Sequence, residues 1–166
     1  NELTGKMGTQ FKEQFDKINF SFGQTFSELF GGGKASLVLT DENDVLESDI
    51  EIKVQPPGKN VQNISLLSGG EKGLSAIALL FAILKVNPCP FCIFDEVEAA
   101  LDDVNVSRYA SYVRNMTGST QFILITHRRG TMDEADMLYG VTMQEKGVSK
   151  LLELKTAEMA RKLGLE

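Results

Sequence analysis

Apolar residues near the beginning of the chain recur at the spacing of an α-helix. Six of them are separated by three or four positions and so share one helical face: Phe11, Phe15, Ile18, Phe22, Phe26 and Leu29. The pattern stops at Gly31, where three consecutive glycines begin. We therefore expect a helix over residues 1–30, and an amphipathic helix packed on its own domain is favoured over a long coiled coil.

Shorter apolar stretches predict strands further along the chain. Residues 35–40 and 49–54 lie on either side of a polar turn and are expected to be strands. Residues 55–63 contain two prolines and a glycine, which indicate a loop. Two almost fully apolar runs, 91–94 and 121–126, are typical of buried strands.

A polar-faced helix is predicted between those two runs, over roughly Val104 to Met116. A strand, a helix and a strand joined by short links indicate a parallel crossover. Residues 137–144 and 148–154 predict a closing hairpin, and residues 156–165 predict a terminal helix.

A two-glycine turn precedes the longest apolar helix pattern, which begins at Ser68 and ends near Asn87. Ser68 and Glu71 have the spacing of a capping box, in which each side chain accepts a hydrogen bond from a backbone N–H at the helix start. The same turn, with Gly69 and Gly70, could instead bind a phosphate, because glycine amides at a positive helix end can approach an anion closely. A cap is the commoner role, and both interpretations stay open.

The composition limits the classes of function. The chain has 166 residues, 42% of them hydrophobic, and a formal net charge of -6 at pH 7. These values fit one domain with a sizeable core, and the negative charge gives no overall field that would attract nucleic acid. No apolar run reaches the length of a membrane span and the polar start is unlike a signal peptide, so we expect no membrane contact and a cytoplasmic location.

Cys89 and Cys92 form a C-x-x-C pair. That spacing is typical of zinc or redox sites, but a four-ligand zinc site needs further Cys or His ligands and His127 is the only histidine. Positions three apart in a strand point to opposite faces, which argues against a disulfide. We expect two ordinary reduced cysteines, with Cys92 in the core.

Two adjacent carboxylates, Asp95 and Glu96, follow the first apolar strand. Open α/β sheets bind ligands at this end of their strands, where an aspartate can hold Mg²⁺ and its neighbour can polarise a nucleophilic water. His127 follows the neighbouring strand and would reach the same edge, from which it could hydrogen-bond a phosphate. The alternatives are a strand end that meets solvent and a structural or surface histidine.

The loop after these carboxylates ends in Asp102 and Asp103, directly before the predicted helix. Either aspartate could cap that helix, and the alternative is a subunit contact beside the phosphate site. Arg128 and Arg129 follow the histidine, and solvated charge is favoured over an anion-binding role for both.

Three motifs, in this order, resemble the carboxyl-terminal half of an ATP-binding-cassette (ABC) head: LSGGEK at 67–72, FCIFDEVEAALDD at 91–103 and ILITHR at 123–128. Their wider context, including LFGGGKASLVLTDENDVLESDIEIKVQPPGK, THRRGTM and LYGVTMQEKGVSKL, resembles the structural maintenance of chromosomes (SMC) family, in its bacterial form, over essentially the whole chain. The resemblance implies an α/β fold, the carboxyl-terminal lobe of an ABC-type P-loop ATPase head, with a mostly parallel sheet flanked by helices. Residues 1–30 would be the root of a coiled-coil arm and residues 31–166 the lobe itself.

The resemblance also implies roles for matching residues. Ser68, Gly69 and Gly70 match the signature motif, which contacts the γ-phosphate of ATP held by an opposing head. Asp95 matches the Walker B residue that acts on Mg²⁺, and Glu96 matches the base that orients the attacking water.

Further matches lie around these residues. His127 matches the switch histidine, and Asp102 matches the D-loop aspartate that couples two composite sites. Glu71 and Lys72 match the neighbourhood of the signature motif. Gly73 departs from the family, in which alanine is more frequent, and a glycine inside a helix costs up to about 1 kcal/mol.

The sequence contains no G-x-x-x-x-G-K-[ST] phosphate loop. Gly33 and Lys34 are followed by Ala35, and the position five before Gly33 is Glu28 rather than glycine. Without the amides and lysine of such a loop, the β- and γ-phosphates lose most of their ligands. We therefore expect half of an ATPase, which binds ATP and Mg²⁺ only with the amino-terminal half of the head and hydrolyses ATP only when two heads engage.

The resemblance implies several partners. Two of them are the amino-terminal half of the head and a second head, and a homodimer is preferred for the latter. The others are a kleisin subunit, docked on the lobe that includes the closing hairpin, and DNA, contacted through the full-length complex. Such a protein would organise and segregate chromosomes and associate with the nucleoid. Two rival hypotheses are the head of another ABC-type DNA repair ATPase and a non-catalytic kleisin-docking module whose signature residues serve only as a helix cap.

Overall fold

The computed structural model describes residues 2–154 of the chain, so the predicted terminal helix lies outside the described residues. The elements within that part follow one another in this order: α1 Glu2–Phe30, β1 Lys34–Leu39, β2 Ile50–Gln55, β3 Gln62–Asn63, a 3-10 helix Ile64–Leu66, α2 Gly69–Val86, β4 Phe91–Asp95, α3 Asp103–Met116, β5 Gln121–Ile125, α4 Arg129–Asp133, β6 Leu138–Glu145 and β7 Val148–Leu154. The sequence did not predict β3, the 3-10 helix or α4, which are all short.

The described strands form three separate sheets. β1, β2 and β3 pair antiparallel, β6 and β7 form the predicted antiparallel hairpin, and β4 and β5 form the predicted parallel pair. The expectation of a mostly parallel sheet is therefore wrong for the described residues. The connections explain the difference, because only β4 and β5 are joined through a long helix, α3, which returns the chain in the same direction, whereas loops and turns join the antiparallel strands.

The second half of α1 belongs to the hydrophobic core. Phe22, Phe26 and Leu29 are buried where this helix packs against α2 and β1. Asn19 ties the helix to β1, because its side-chain oxygen accepts from the Leu37 N–H (2.7 Å) and its amide donates to the Leu37 carbonyl (3.1 Å). The predicted helix is confirmed over residues 2–30, and this half of it packs on its own domain.

The parallel pair is covered on one face only. Phe94 is buried and its ring lies 6.1 Å from that of Phe81 in α2. On the opposite face the four apolar side chains are between 46% and 58% exposed: Phe91, Ile93, Ile123 and Ile125. The expectation of two buried strands is therefore wrong for this face, which we call the open face. Parallel sheets are normally covered on both faces, and no other part of residues 2–154 covers this one.

Candidate active site

The carboxyl ends of β4 and β5 bring two of the predicted site residues together. The parallel register pairs Asp95 with Ile125, so the residues that follow each strand are neighbours. His127 Nδ1 lies 3.2 Å from Glu96 Oε1, and both side chains are exposed. Because an ionised carboxylate can only accept, the ring nitrogen is the donor in this hydrogen bond.

Glu96 has an unusual backbone conformation. Its φ is 48°, in the left-handed region that non-glycine residues rarely adopt. Its N–H donates to the Ile125 carbonyl (2.9 Å), and its own carbonyl accepts from the Ala99 N–H (3.0 Å). Strained conformations of this kind cost about 1–3 kcal/mol and cluster at functional sites. The conformation directs the chain away from β4 immediately after Asp95.

Asp95 ends β4 with an exposed side chain beside this pair. Among residues 2–154, no three His, Cys, Asp or Glu side chains are grouped so as to hold a metal ion. The exposed Asp95 carboxylate fits Mg²⁺, which in nucleotide sites is bound by one or two carboxylates together with phosphate oxygens and waters. A carboxylate at this position therefore suits a metal that is held mainly by its nucleotide.

The predicted signature residues lie at the start of α2, where Ser68 and Glu71 form a complete capping box. Ser68 Oγ accepts from the Glu71 N–H (3.4 Å), and the Ser68 N–H donates to Glu71 Oε2 (3.2 Å). The Ser68 hydroxyl also donates to the same carboxylate (2.9 Å), which is held from the other side by Lys59 Nζ at 2.7 Å. These hydrogen bonds hold the pKa of Glu71 below its usual value, and the bond from Lys59 has the largest effect. The cap is thus present in this chain.

The start of α2 is open at Gly69, because a Cβ there would meet nothing within 4 Å. The first backbone N–H groups of a helix are the groups that can bind a phosphate. Gly70 and Gly73 lie against the loop that follows β4, because a Cβ on Gly70 would be 3.5 Å from the Ala100 carbonyl and one on Gly73 would be 3.4 Å from Leu101 Cδ2. The helix that carries the predicted signature residues and the predicted D-loop, which follows β4 and ends at Asp102, therefore pack together within one chain.

Asp102 caps α3. Its Oδ1 accepts from the Asn105 N–H (2.8 Å), which satisfies one of the donors at that helix end. Arg128 donates to Asp103 Oδ1 (2.9 Å) and to the Leu101 carbonyl (3.0 Å). The expectation that Arg128 carries solvated charge is therefore wrong, because its guanidinium joins the end of β5 to the start of α3. Arg129 is exposed.

Sequence reasoning missed Glu98. This carboxylate is 2% exposed, and its Oε1 accepts hydrogen bonds from the hydroxyls of Thr126 and Thr131. The one signal in the sequence was an acidic residue between the apolar Val97 and Ala99, in a loop where solvent exposure would be expected.

The cysteine pair is closer than expected. Both thiols are free and half-buried, and their sulfurs lie 2.9 Å apart. Burial, followed by the neighbouring thiol, raises the pKa of Cys92 to about 11. The argument from opposite strand faces is wrong, because β4 begins at Phe91 and Cys89 precedes it.

Comparison with known proteins identifies the family. The model for the RecF/RecN/SMC N terminal domain matches residues 16–150. The chain belongs to the SMC family. It is 59% identical over 157 residues to the chromosome partition protein Smc of Bacillus subtilis (strain 168), and this covers 95% of the chain and 13% of that relative. The chain therefore spans about an eighth of the length of that SMC protein.

Solved SMC structures have the same fold. One, from work on ATP-driven dimerization and DNA-stimulated activation of SMC ATPases, superposes with a TM-score of 0.87 at 40% identity, covering 95% of each chain. Another is an Smc head domain with an extended coiled coil bound to the C-terminal domain of ScpA, from Pyrococcus furiosus. It superposes with a TM-score of 0.83 at 41% identity, covering 99% of this chain and 41% of that one. Within residues 2–154, no helix is both long and apolar enough to cross a membrane.

Proposed function

We propose that this chain is the carboxyl-terminal half of the ATPase head of an SMC protein, which binds ATP and Mg²⁺ after combining with the amino-terminal half. The contact between Glu96 and His127, at the strand edge that also carries Asp95, is the observation that carries the catalytic part. The order of the motifs and the missing phosphate loop support the placement in the carboxyl-terminal half, although the matching family model is described as an amino-terminal domain.

The open face supports the need for a second segment. A parallel pair normally carries cover on both faces, and the exposed side chains here are large and apolar, with Ile93 58% exposed. We propose that the amino-terminal half of the head extends this sheet and covers the open face. It would also supply the phosphate loop that the sequence lacks. A solved SMC chain with nearly the same extent as this one is consistent with such a division.

The residues at the strand edge suit hydrolysis of the phosphoanhydride bond between the β- and γ-phosphates of ATP. Mg²⁺, when bound, would withdraw charge from the phosphate oxygens. Asp95 would hold the metal, and Glu96 would orient the attacking water and accept its proton at a carboxylate oxygen. His127 donates to Glu96 from Nδ1, which leaves Nε2 on the other side of the ring for a contact beyond the chain.

The signature residues would act on the nucleotide of a second head. In this chain the Ser68 hydroxyl donates to Glu71, so it has to exchange that partner for a phosphate oxygen when the heads engage. Lys59 remains on the Glu71 carboxylate and reduces its repulsion of an incoming anion. Gly69 and Gly70 would contribute backbone amides, and Asp102 at the start of α3 would lie at the head-to-head contact.

The remaining parts of the chain suit other tasks of an SMC protein. We propose that α1 within residues 1–30 is the root of the coiled-coil arm and that residues 31–166 form the lobe, in a homodimer that organises DNA at the bacterial nucleoid. The β6–β7 hairpin would bind the kleisin, because apolar side chains such as Val141 and Leu151 are more than 60% exposed there. A solved relative is an Smc head bound to the C-terminal domain of ScpA.

A glutamine substitution tests the catalytic part. In the full-length protein, Glu96→Gln should abolish ATP turnover and prolong the ATP-bound dimer, because glutamine cannot accept the proton of the attacking water. Glu42→Gln, in the exposed loop between β1 and β2, is the matched control and should leave both quantities unchanged. Normal turnover by Glu96→Gln would overturn the assignment of Glu96 as the base, whereas a wild-type protein without ATP turnover would favour the rival hypothesis of a docking module without catalysis.

A further inference from the structure

A buried carboxylate lies between the two segments that carry the candidate catalytic pair. Glu98, two residues after Glu96, is 2% exposed. Its Oε1 accepts from Thr126 Oγ1, and also from Thr131 Oγ1 at 2.9 Å. Thr126 immediately precedes His127. One carboxylate oxygen therefore fixes both ends of the segment from Thr126 to Thr131, which we call the switch segment.

A second set of contacts joins the same segments. The Thr126 oxygen also accepts from the Arg128 N–H (3.0 Å), so its hydroxyl has both a donor role and an acceptor role. The Arg128 side chain donates to the Leu101 carbonyl, within the loop that contains Glu98. The position of His127 is thus fixed from both sides by residues that contact the D-loop.

The backbone of Glu96 needs such support. A left-handed non-glycine residue persists only where its surroundings determine its conformation. The bond to the Ile125 carbonyl holds the amide side of Glu96, and the buried side chain of Glu98 anchors the chain just after it. Loss of that anchor would release both partners of the 3.2 Å contact, Glu96 and His127.

Tyr109 in α3 provides a reference point beside this carboxylate. Its buried hydroxyl has no hydrogen-bond partner among the described residues. Burial, followed by the negative charge of Glu98, raises the pKa of Tyr109. Substitution of this tyrosine by phenylalanine would therefore change the surroundings of Glu98 without removing any of its hydrogen bonds.

We propose that Glu98 is a positioning residue, which acts through Thr126 and Thr131 to hold His127 against Glu96. The expected effect of Glu98 on turnover rests on the proposed ATPase function. The expected effect of Glu98 on the position of the His127 ring does not depend on that function. Glu98 is buried, so we expect it not to contact the nucleotide, and its loss should lower kcat and leave the KM for ATP unchanged.

The kinetic test uses the full-length protein. Glu98→Ala should lower kcat by about tenfold to a hundredfold, because small misplacements of catalytic groups have effects of that size. Glu98→Gln keeps an acceptor oxygen and should restore most of the turnover, whereas Tyr109→Phe should not change it. Should Glu98→Ala fail to fold, Thr131→Val, which removes one of the two bonds, should give a smaller loss of kcat with the same KM.

A second readout needs no activity. His127 is the only histidine, so in the 166-residue chain its imidazole gives one set of NMR signals. We expect a nuclear Overhauser effect between the ring and the Glu96 side chain in the wild type, Glu98→Gln and Tyr109→Phe, and its loss in Glu98→Ala.

These measurements separate the possible failures. A wild-type kcat with an intact Overhauser effect in Glu98→Ala would overturn the inference, as would a Glu98→Gln variant as impaired as Glu98→Ala. A KM that rises as much as kcat falls would indicate general damage to the fold and would also overturn it. If the wild-type protein has no ATPase activity, the proposed function fails, and the NMR comparison still decides the role of Glu98.

Discussion

Substitution of Gly73 by alanine should stabilise the chain. Gly73 lies within α2, where a glycine is less favourable than alanine by about 1 kcal/mol. A Cβ at this position would be 3.4 Å from Leu101 Cδ2 and 3.5 Å from Ala100 Cβ, which are ordinary van der Waals distances. The methyl group would therefore fit against the loop that follows β4 without a clash, and its partial burial adds at most about 0.8 kcal/mol.

The expected gain in the free energy of unfolding is about 1–1.5 kcal/mol, from the helix term and part of the burial term. Urea unfolding followed by circular dichroism measures it, and a slope of about 2 kcal/mol per molar urea converts it to a midpoint shift of about half a molar or more.

Gly31→Ala is the matched control for this substitution. Gly31 has a φ of 70° and a Cβ there would meet nothing within 4 Å, so only the backbone strain counts. That variant should lose about 1 kcal/mol. A destabilised or unchanged Gly73→Ala protein would refute the reasoning, because it would mean that the loop after β4 lies too close to α2 for a methyl group.

Three further predictions concern other side chains. Tyr109→Phe should raise the free energy of unfolding by about 1 kcal/mol in the same urea assay, because it removes a buried hydroxyl that has no hydrogen-bond partner among residues 2–154, and a loss of stability would contradict the structure. The contribution of the Glu71 carboxylate to stability is complete above its ordinary pKa near 4.5 and is lost as the pH falls through its lower folded-state pKa. Lys59→Met should therefore reduce the loss of stability on acidification, by less than about 1 kcal/mol. Equal curves of stability against pH for the wild type and the variant would contradict this. Oxidation of the folded chain by diamide should join Cys89 and Cys92 in a disulfide, which mass spectrometry detects as the loss of two hydrogens. Cys89→Ser should prevent this loss. Thiols that both stay free would show that the two sulfurs are not in contact.

The parts of the fold that depend on local chemistry were predictable from the sequence. Ser68 and Glu71 are close in the chain, so their capping box follows from residue type and spacing alone. The alternation of apolar runs with a polar-faced helix was enough to predict the parallel pair, because a crossover of that length favours one direction.

Long-range contacts were not predictable in the same way. Glu98 and Thr131 are 33 residues apart, and nothing in either local sequence indicates the partner. The apolar run of β4 indicated burial of Phe91 and Ile93, but a run of apolar residues does not specify which element covers it. The contact between the two cysteines was missed because the exact start of β4 decided it, and strand ends are the least certain part of a sequence-based prediction.

The central claim, that this chain supplies only half of a nucleotide site, is tested most directly by calorimetry with Mg-ATP. The titration is made with the chain alone and with the chain assembled with the amino-terminal segment of its own gene. Saturable binding by the assembled pair, with none by the lone chain, is the predicted result. Tight, saturable binding by the lone chain would contradict the account, because it would require a phosphate site that does not depend on a second segment.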